Sequence, residues 1–132
     1  MKLTEYLEAD ERVVIERLVP GVDLDAVVLA PLPNAVVDAL PTLGAITLGQ
    51  RILVRPGVFE GDREVLLDLL AHELAHVAQW RRLGPVGFLV RYLTDYGRLR
   101  FRGVGHADAY LGIPAEEEAR ETASRRADLR PE

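Results

Sequence analysis

The sequence predicts a single α+β domain over residues 1–132, in which a small β-sheet or hairpin packs on one long helix and further helices complete the fold. Three observations predict it. Residues 45–54 form two short apolar runs joined by a tight turn, residues 62–83 carry apolar side chains at helical spacing, and residues 115–129 follow a proline that suits a first helical turn. A chain of 132 residues with 48% hydrophobic and 28% charged residues has the size and composition of one globular domain.

The elements before the hairpin are less regular. Residues 4–18 place apolar side chains at roughly helical spacing between many charges, which predicts a surface helix with a possible break near Asp10. Residues 22–30 contain a β-branched run bounded by a proline and are predicted to form a strand. Residues 34–40 favour either a strand or a short helix.

The hairpin and the helix after it have clearer signals. Within residues 45–54 the two-residue turn falls at Gly49-Gln50. Asp62 suits the N-cap of the next helix, and Gly84, followed by a proline, predicts its end. A sheet edge beside this helix can hold an extended peptide by strand addition. A hairpin that only covers the core is an equally good interpretation.

The remaining chain is predicted to be helical with breaks. Residues 85–99 have an apolar side at helical spacing, and the glycines of residues 103–105 end that helix. Residues 106–112 predict a short turn or helix. The last helix is expected from residue 115 to about residue 129, because acidic residues in its first turn favour the positive end of a helix dipole.

The strongest functional signal is the sequence His-Glu-Leu-Ala-His at residues 72–76. Residues four apart on a helix lie on one face, so His72 and His76 can converge on one ion, with Glu73 beside them. Zinc suits imidazole and carboxylate ligands in a tetrahedral site that keeps one position for water. The pattern therefore predicts a zinc site in which the pKa of a water is lowered and Glu73 acts as general base.

A catalytic zinc site needs a third protein ligand, and the chain has no cysteine to supply it. The residues alone leave three sources open. His106 is the only other histidine, Asp95 lies on the following helix, and an acidic triplet, Glu116 to Glu118, begins the last helix.

Three separated blocks of sequence then resemble a known group of proteins. These blocks are the motif with Val-Ala-Gln-Trp after it, Leu-Gly-Pro-Val-Gly-Phe-Leu-Val-Arg-Tyr at residues 83–92, and Ala-Tyr-Leu-Gly-Ile-Pro-Ala-Glu-Glu-Glu-Ala at residues 109–119. In this order they resemble a family of small bacterial zincin-like domains. The similarity runs from about Gly44 to Ala119, and more broadly it extends to the gluzincin metallopeptidases, whose third ligand is a glutamate on a later helix.

The resemblance implies a zincin-like fold and a zinc-dependent peptidase. Zinc would be held by His72, His76 and Glu116, with Glu73 as base and Glu118 as the reserve ligand. Gluzincins often have an aspartate where this chain has Arg120, so a different residue would have to support a histidine ligand.

Other residues could assist such a site. Asp68 or Gln79 could accept a hydrogen bond from a ligand imidazole. Tyr110 or His106, just before the ligand helix, could stabilise the oxyanion of a tetrahedral intermediate.

The composition and charge of the chain indicate which classes of partner to expect. A net charge of -5 argues against nucleic acid, despite four arginines within residues 91–102. The amino end is charged where an export signal would be apolar, and no apolar run is long enough for membrane insertion, so we expect a cytoplasmic location. The expected partner is a peptide or protein substrate, with a partner protein also possible. The alternative function is an inactive, zinc-stabilised binding or scaffold domain.

Overall fold

The computed structural model describes residues 1–129. It is a small α+β structure with a three-stranded sheet and six helices within those residues. The elements in chain order are α1 (Leu3–Tyr6), α2 (Ala9–Leu18), β1 (Val28–Pro31), α3 (Asn34–Ala39), β2 (Ala45–Leu48), β3 (Arg51–Val54), α4 (Arg63–Phe101), α5 (His106–Gly112) and α6 (Pro114–Ser124).

The sheet has the order β1-β3-β2, with β1 parallel and β2 antiparallel to β3. The predicted hairpin is confirmed: Leu48 pairs with Arg51 across the turn, and Gly49 has the positive φ of 65° that glycine adopts readily. The outer edge of β1 is bridged by Lys2. Among the described residues, no strand pairs with the outer edge of β2, so its backbone remains available to another chain.

The core lies between the sheet and the first half of α4. Leu66, Leu70 and Leu74 recur at helical spacing and are fully buried with Ile52 and Val54 of β3. This packing holds the first half of α4, where the two motif histidines lie, against the sheet.

The helix α4 begins where the sequence predicts, and the predicted helix end at Gly84 is a kink between two helical parts. Asp62 caps it, because its carboxylate accepts from the backbone N–H of Glu64 at 2.8 Å. At Gly84 the backbone has φ 74° and ψ 164°, and helix resumes from Pro85. These dihedral angles are almost exclusive to glycine. The kink separates residues 63–83, which contain the motif, from residues 85–101.

Two predictions for the first third of the chain need correction or completion. The strand predicted over residues 22–30 is wrong in its first half, because Asp23 accepts from the backbone N–H of Asp25 and starts a 3₁₀ turn over Leu24–Ala26. Residues 34–39 resolve to a helix. The break in the N-terminal helix falls before Ala9, where the backbone of Glu8 donates to the Glu11 carboxylate, so it is close to the predicted position.

The last helix ends at Ser124, five residues before the predicted end near Leu129. The reason is a long-range contact. The buried guanidinium of Arg126 reaches back to the start of α4, where it donates to Asp68 and Glu64 at 2.7 Å each. The chain therefore turns toward α4 and continues as a 3₁₀ turn over Ala127–Leu129. No helix within residues 1–129 is long and apolar enough to cross a bilayer.

Candidate metal centre

Three side chains from two helices converge between α4 and α6. His72 and His76 lie one turn apart on α4, and Glu116 lies in the first turn of α6. Nε2 of His72 is 3.2 Å from Oε2 of Glu116, and Nε2 of His76 is 2.9 Å from Oε1. The three potential ligand atoms all lie within 4.8 Å of one another. The structure therefore brings together the two motif histidines and the glutamate that the resemblance implied.

This arrangement fits a zinc ion. Tetrahedral zinc with ligands at about 2.0–2.1 Å separates neighbouring ligand atoms by roughly 3.3 Å. The two nitrogen–oxygen separations at Glu116 are close to that value. The donor set of two imidazoles and a carboxylate is one that zinc accepts at catalytic sites. Within residues 1–129 the group offers three protein ligand atoms, so a tetrahedral ion held there would keep one further position.

Burial and the neighbouring charges shift the pKa values of the candidate ligands in opposite directions. Burial acts to raise the pKa of the Glu116 carboxyl, but the hydrogen bonds and charges of His72 and His76 hold that pKa well below its ordinary value. Burial acts to lower the pKa of His76, and Glu116 outweighs it, so the pKa of His76 is raised. The carboxylate is thus kept ionised, which is the form that binds a metal.

Gln79 fixes the orientation of one ligand. Its Oε1 accepts from Nδ1 of His76 at 2.8 Å, while its Nε2 donates to the carbonyl of Ala115 at 3.0 Å. Nε2 of His76 is therefore the nitrogen that faces Glu116. Of the two supporting residues considered from the sequence, Gln79 contacts a ligand, whereas Asp68 is bonded to Arg126.

Glu73 lies beside the ligands and is 5% exposed. Burial raises the pKa of its carboxyl above the ordinary value, although a hydrogen bond from Thr47 and the two nearby histidines act in the opposite direction. Oγ1 of Thr47, on β2, lies 2.6 Å from Oε2 of Glu73. The carboxylate is thereby held in place by the sheet.

Two tyrosines complete the polar surroundings of Glu116. The hydroxyl of Tyr92 donates to Oε1 of Glu116 at 3.1 Å. Burial, followed by the charge of Glu116 and a hydrogen bond to it, raises the pKa of Tyr110, and burial and the same charge raise the pKa of Tyr92. Both phenols are therefore held in the protonated form that can donate a hydrogen bond.

The first part of this site lies in a segment that is similar to a known family. Residues 23–84 match the family model of the eCIS core domain. The matched segment is just under half of the chain. No curated protein and no solved structure matches the chain.

The eCIS core match ends at the kink of α4. It includes the sheet, both ligand histidines and Glu73, whereas Glu116, Tyr92 and Tyr110 lie beyond it. The site is therefore assembled from the eCIS core segment and from the helices that follow it.

Two cavities that share lining residues border the candidate centre, and together they are called the cleft. A cavity of about 200 Å³, the aromatic end, is lined by apolar and aromatic side chains that include Leu48, Trp80, Phe88 and Leu89. A wider, open cavity of about 380 Å³, the arginine end, is lined by residues that include Asp68, His72 and Arg120. The two cavities share Leu43, Ala45, Glu73 and Tyr110.

Some sequence candidates lie elsewhere. His106 is exposed, forms a hydrogen bond with the hydroxyl of Tyr96 at 2.6 Å, and does not line either end of the cleft. Asp95 is paired with Arg91 at 3.7 Å. Glu118 accepts from Gln79 at 3.2 Å. None of the three belongs to the group of converging ligand atoms among residues 1–129.

Sequence reasoning missed Thr47 and the polar role of Tyr92. Thr47 is a polar residue at an inward position of a strand whose buried positions are otherwise apolar, and that exception was the available signal. Tyr92 was assigned only to the apolar side of its helix. Its contact with a residue 24 positions later has no local signal in the sequence.

Proposed function

We propose that the protein is a zinc-dependent metallopeptidase with a zincin-like, gluzincin-type fold, and that Glu73 is the general base for hydrolysis of a peptide bond. The convergence of His72, His76 and Glu116 beside a buried Glu73 carries this proposal. When bound, zinc supplies Lewis-acid chemistry that lowers the pKa of water and polarises a carbonyl group.

The protein's own groups can carry the proton transfers. Glu73 accepts a proton from the attacking water and passes it to the leaving amine. Thr47 holds that carboxylate toward the cleft. Tyr110, which lines both ends of the cleft, remains protonated and donates to the developing oxyanion. Within residues 1–129 the outer edge of β2 has no strand partner, and it offers backbone groups to an extended substrate.

The first test is the metal content of the purified protein. We expect about one zinc per chain in the parent and in Glu73→Gln, and little in His72→Ala or Glu116→Gln, because both lose a ligand. Glu118→Gln is the matched control, since it changes a neighbouring carboxylate that bonds to Gln79. Loss of zinc from Glu118→Gln with retention in Glu116→Gln would show that Glu118, and not Glu116, is the third ligand.

The second test is peptide hydrolysis, followed by mass spectrometry on a mixed peptide library. We expect cleavage by the zinc-loaded parent and a reduction of at least about 100-fold in Glu73→Gln, the typical contribution of a general base. Cleavage at the parent rate by Glu73→Gln would exclude this mechanism.

The alternative is an inactive, zinc-stabilised binding or scaffold domain. The eCIS core match favours it, because the name refers to an extracellular contractile injection system and implies partner proteins, not a reaction. This alternative predicts zinc binding and zinc-dependent stability without cleavage of any library peptide. The expected cellular location, the cytoplasm, remains part of either proposal.

A further inference from the structure

The two ends of the cleft differ in chemistry. The aromatic end is bounded by the rings of Trp80 and Phe88, which stack with centroids 4.6 Å apart. Leu48 and Leu89 line the same cavity and are 49% and 46% exposed. Large apolar side chains that line a small cavity and remain half open to water favour an apolar group from another molecule.

The arginine end presents the positive charge of Arg120. This residue lies one turn after Glu116 on α6, and its Nη2 donates to the carbonyl of Leu111. Within residues 1–129 no carboxylate forms an ion pair with Arg120. A guanidinium has five N–H donors, so one bond to a carbonyl leaves donors for a carboxylate.

The acidic residues that line the arginine end already have partners, and of these Glu73 accepts from Oγ1 of Thr47 at 2.6 Å. Asp68, in the wall of the arginine end, accepts from Arg126 at 2.7 Å. Glu116 is held between the two histidines. A substrate carboxylate at Arg120 would therefore gain a charge-assisted hydrogen bond without displacing an internal ion pair.

We propose that the cleft selects an extended peptide that places a large apolar side chain in the aromatic end and an acidic side chain at Arg120. Glu73 and Tyr110 line both cavities, so both recognition points adjoin these two residues. The inference rests on the proposed function in one respect, namely that a peptide crosses the metal centre. It adds the class of peptide that fits.

Trp80 provides a direct readout of binding. It is the only tryptophan of the chain and it lines the aromatic end. Blocked, alanine-rich peptides of about ten residues would carry one phenylalanine and, two to four residues away on either side, one glutamate. Titration into zinc-loaded Glu73→Gln, repeated in the parent, would report binding as a change in Trp80 fluorescence.

We expect at least one phenylalanine–glutamate peptide to bind about tenfold or more tightly than its glutamine and alanine counterparts, the order of effect of one charge-assisted hydrogen bond or one buried aromatic ring. Arg120→Met should abolish the preference for glutamate over glutamine. Arg125→Met, the matched control, removes an exposed arginine that does not line this cleft and should keep the preference.

The aromatic end has its own pair of variants. Leu89→Gln should abolish the preference for phenylalanine over alanine. Val90→Gln should preserve it, because Val90 is 58% exposed on the same helix and does not line the cavity.

Equal binding of all peptides, no binding by any of them, or an unchanged glutamate preference in Arg120→Met would each overturn the proposal. The outcome is separable from that of the proposed function. If the protein discriminates between the peptides but hydrolyses none, the proposed peptide selectivity is supported and the proposed peptidase activity is refuted. If it hydrolyses peptides without discriminating between them, the peptidase activity is supported and the selectivity is refuted.

Discussion

At the scale of single residues, Gln79 connects the candidate ligand His76 to helix packing. It is 1% exposed and joins His76 of α4 to the backbone of α6. In Gln79→Leu, Nδ1 of His76 loses its acceptor, and we expect zinc affinity to fall about 10- to 100-fold, as for other residues that orient metal-bound histidines. A competition titration against a chelator of known affinity would measure this change.

The variant Gln79→Glu serves as the control for that experiment. It keeps an acceptor oxygen for His76 and loses the donor to Ala115. Zinc affinity should therefore stay near the parent value while the free energy of unfolding decreases. Parent-like zinc binding in Gln79→Leu would show that His76 does not need this hydrogen bond.

At the scale of elements, the kink of α4 depends on one residue. Gly84 adopts φ 74° and ψ 164°, and a Cβ at this position would meet no atom within 4 Å. Gly84→Ala therefore strains only the backbone, because alanine does not readily adopt these dihedral angles. We expect the free energy of unfolding to fall by about 1–3 kcal/mol. Urea denaturation would measure it.

Gly97 is the matched control for Gly84. It lies in the second part of the same helix, without a positive φ, and a Cβ there would also meet nothing within 4 Å. Gly97→Ala should be neutral or should stabilise the protein by roughly 0.5–1 kcal/mol, because alanine is the better helix former. Equal effects of the two substitutions would mean that the kink does not require glycine.

The elements also show which parts of the structure were predictable. Local signals located the hairpin, the Asp62 cap and the Gly84 kink. The parallel contact between β1 and β3 joins residues more than 20 positions apart, and no local pattern specifies it. The end of α6 was misplaced for the same reason, since Arg126 contacts residues about 60 positions earlier.

The same distinction between local signals and long-range contacts applies to the candidate site. The spacing of His72 and His76 is a property of one helix and was readable from the sequence. Glu116 came from a resemblance, and its contact with both histidines depends on how α6 packs against α4. His106 was equally plausible as a sequence candidate, but the loop before α5 directs it toward Tyr96.

At the scale of the whole molecule, a long-range ion pair makes stability depend on pH. A hydrogen bond from Arg63 lowers the pKa of Glu11 below its ordinary value of 4.5, against the opposing effect of burial. The two residues connect α2 to the start of α4. A lowered folded-state pKa means that the stabilisation is present above about pH 4.5 and is lost as the pH falls through the folded-state pKa.

Glu11→Gln tests this dependence. We expect it to lower the free energy of unfolding by roughly 1 kcal/mol at pH 7, a modest value because Arg63 is partly open to water, and by less as the pH approaches 3.5. Glu16→Gln, which alters an exposed pair within α2, should change stability by less than about 0.5 kcal/mol. A destabilisation by Glu11→Gln that grows toward acid pH would contradict a lowered pKa of Glu11 in the folded state.

Zinc should stabilise the whole fold, because its proposed ligands come from both α4 and α6. At a free zinc concentration of about 100 times Kd, binding to the folded state alone adds about 2.7 kcal/mol, which corresponds to a rise in Tm of roughly 10 °C for a chain of this size. Differential scanning fluorimetry with zinc, with magnesium and with chelator would measure it. Glu116→Gln should lose most of the rise, and an equal rise in that variant would remove Glu116 from the ligand set.

The kink at Gly84 also divides the residues of the candidate site into two parts of the chain. The eCIS core match stops there, so it contains the sheet, both motif histidines, Glu73 and Trp80, whereas Glu116 and Phe88 follow it. Phe88 lies in the second part of α4, and Glu116 lies in α6. If the proposed function holds, metal affinity and the choice of peptide would therefore depend on residues from both sides of the kink.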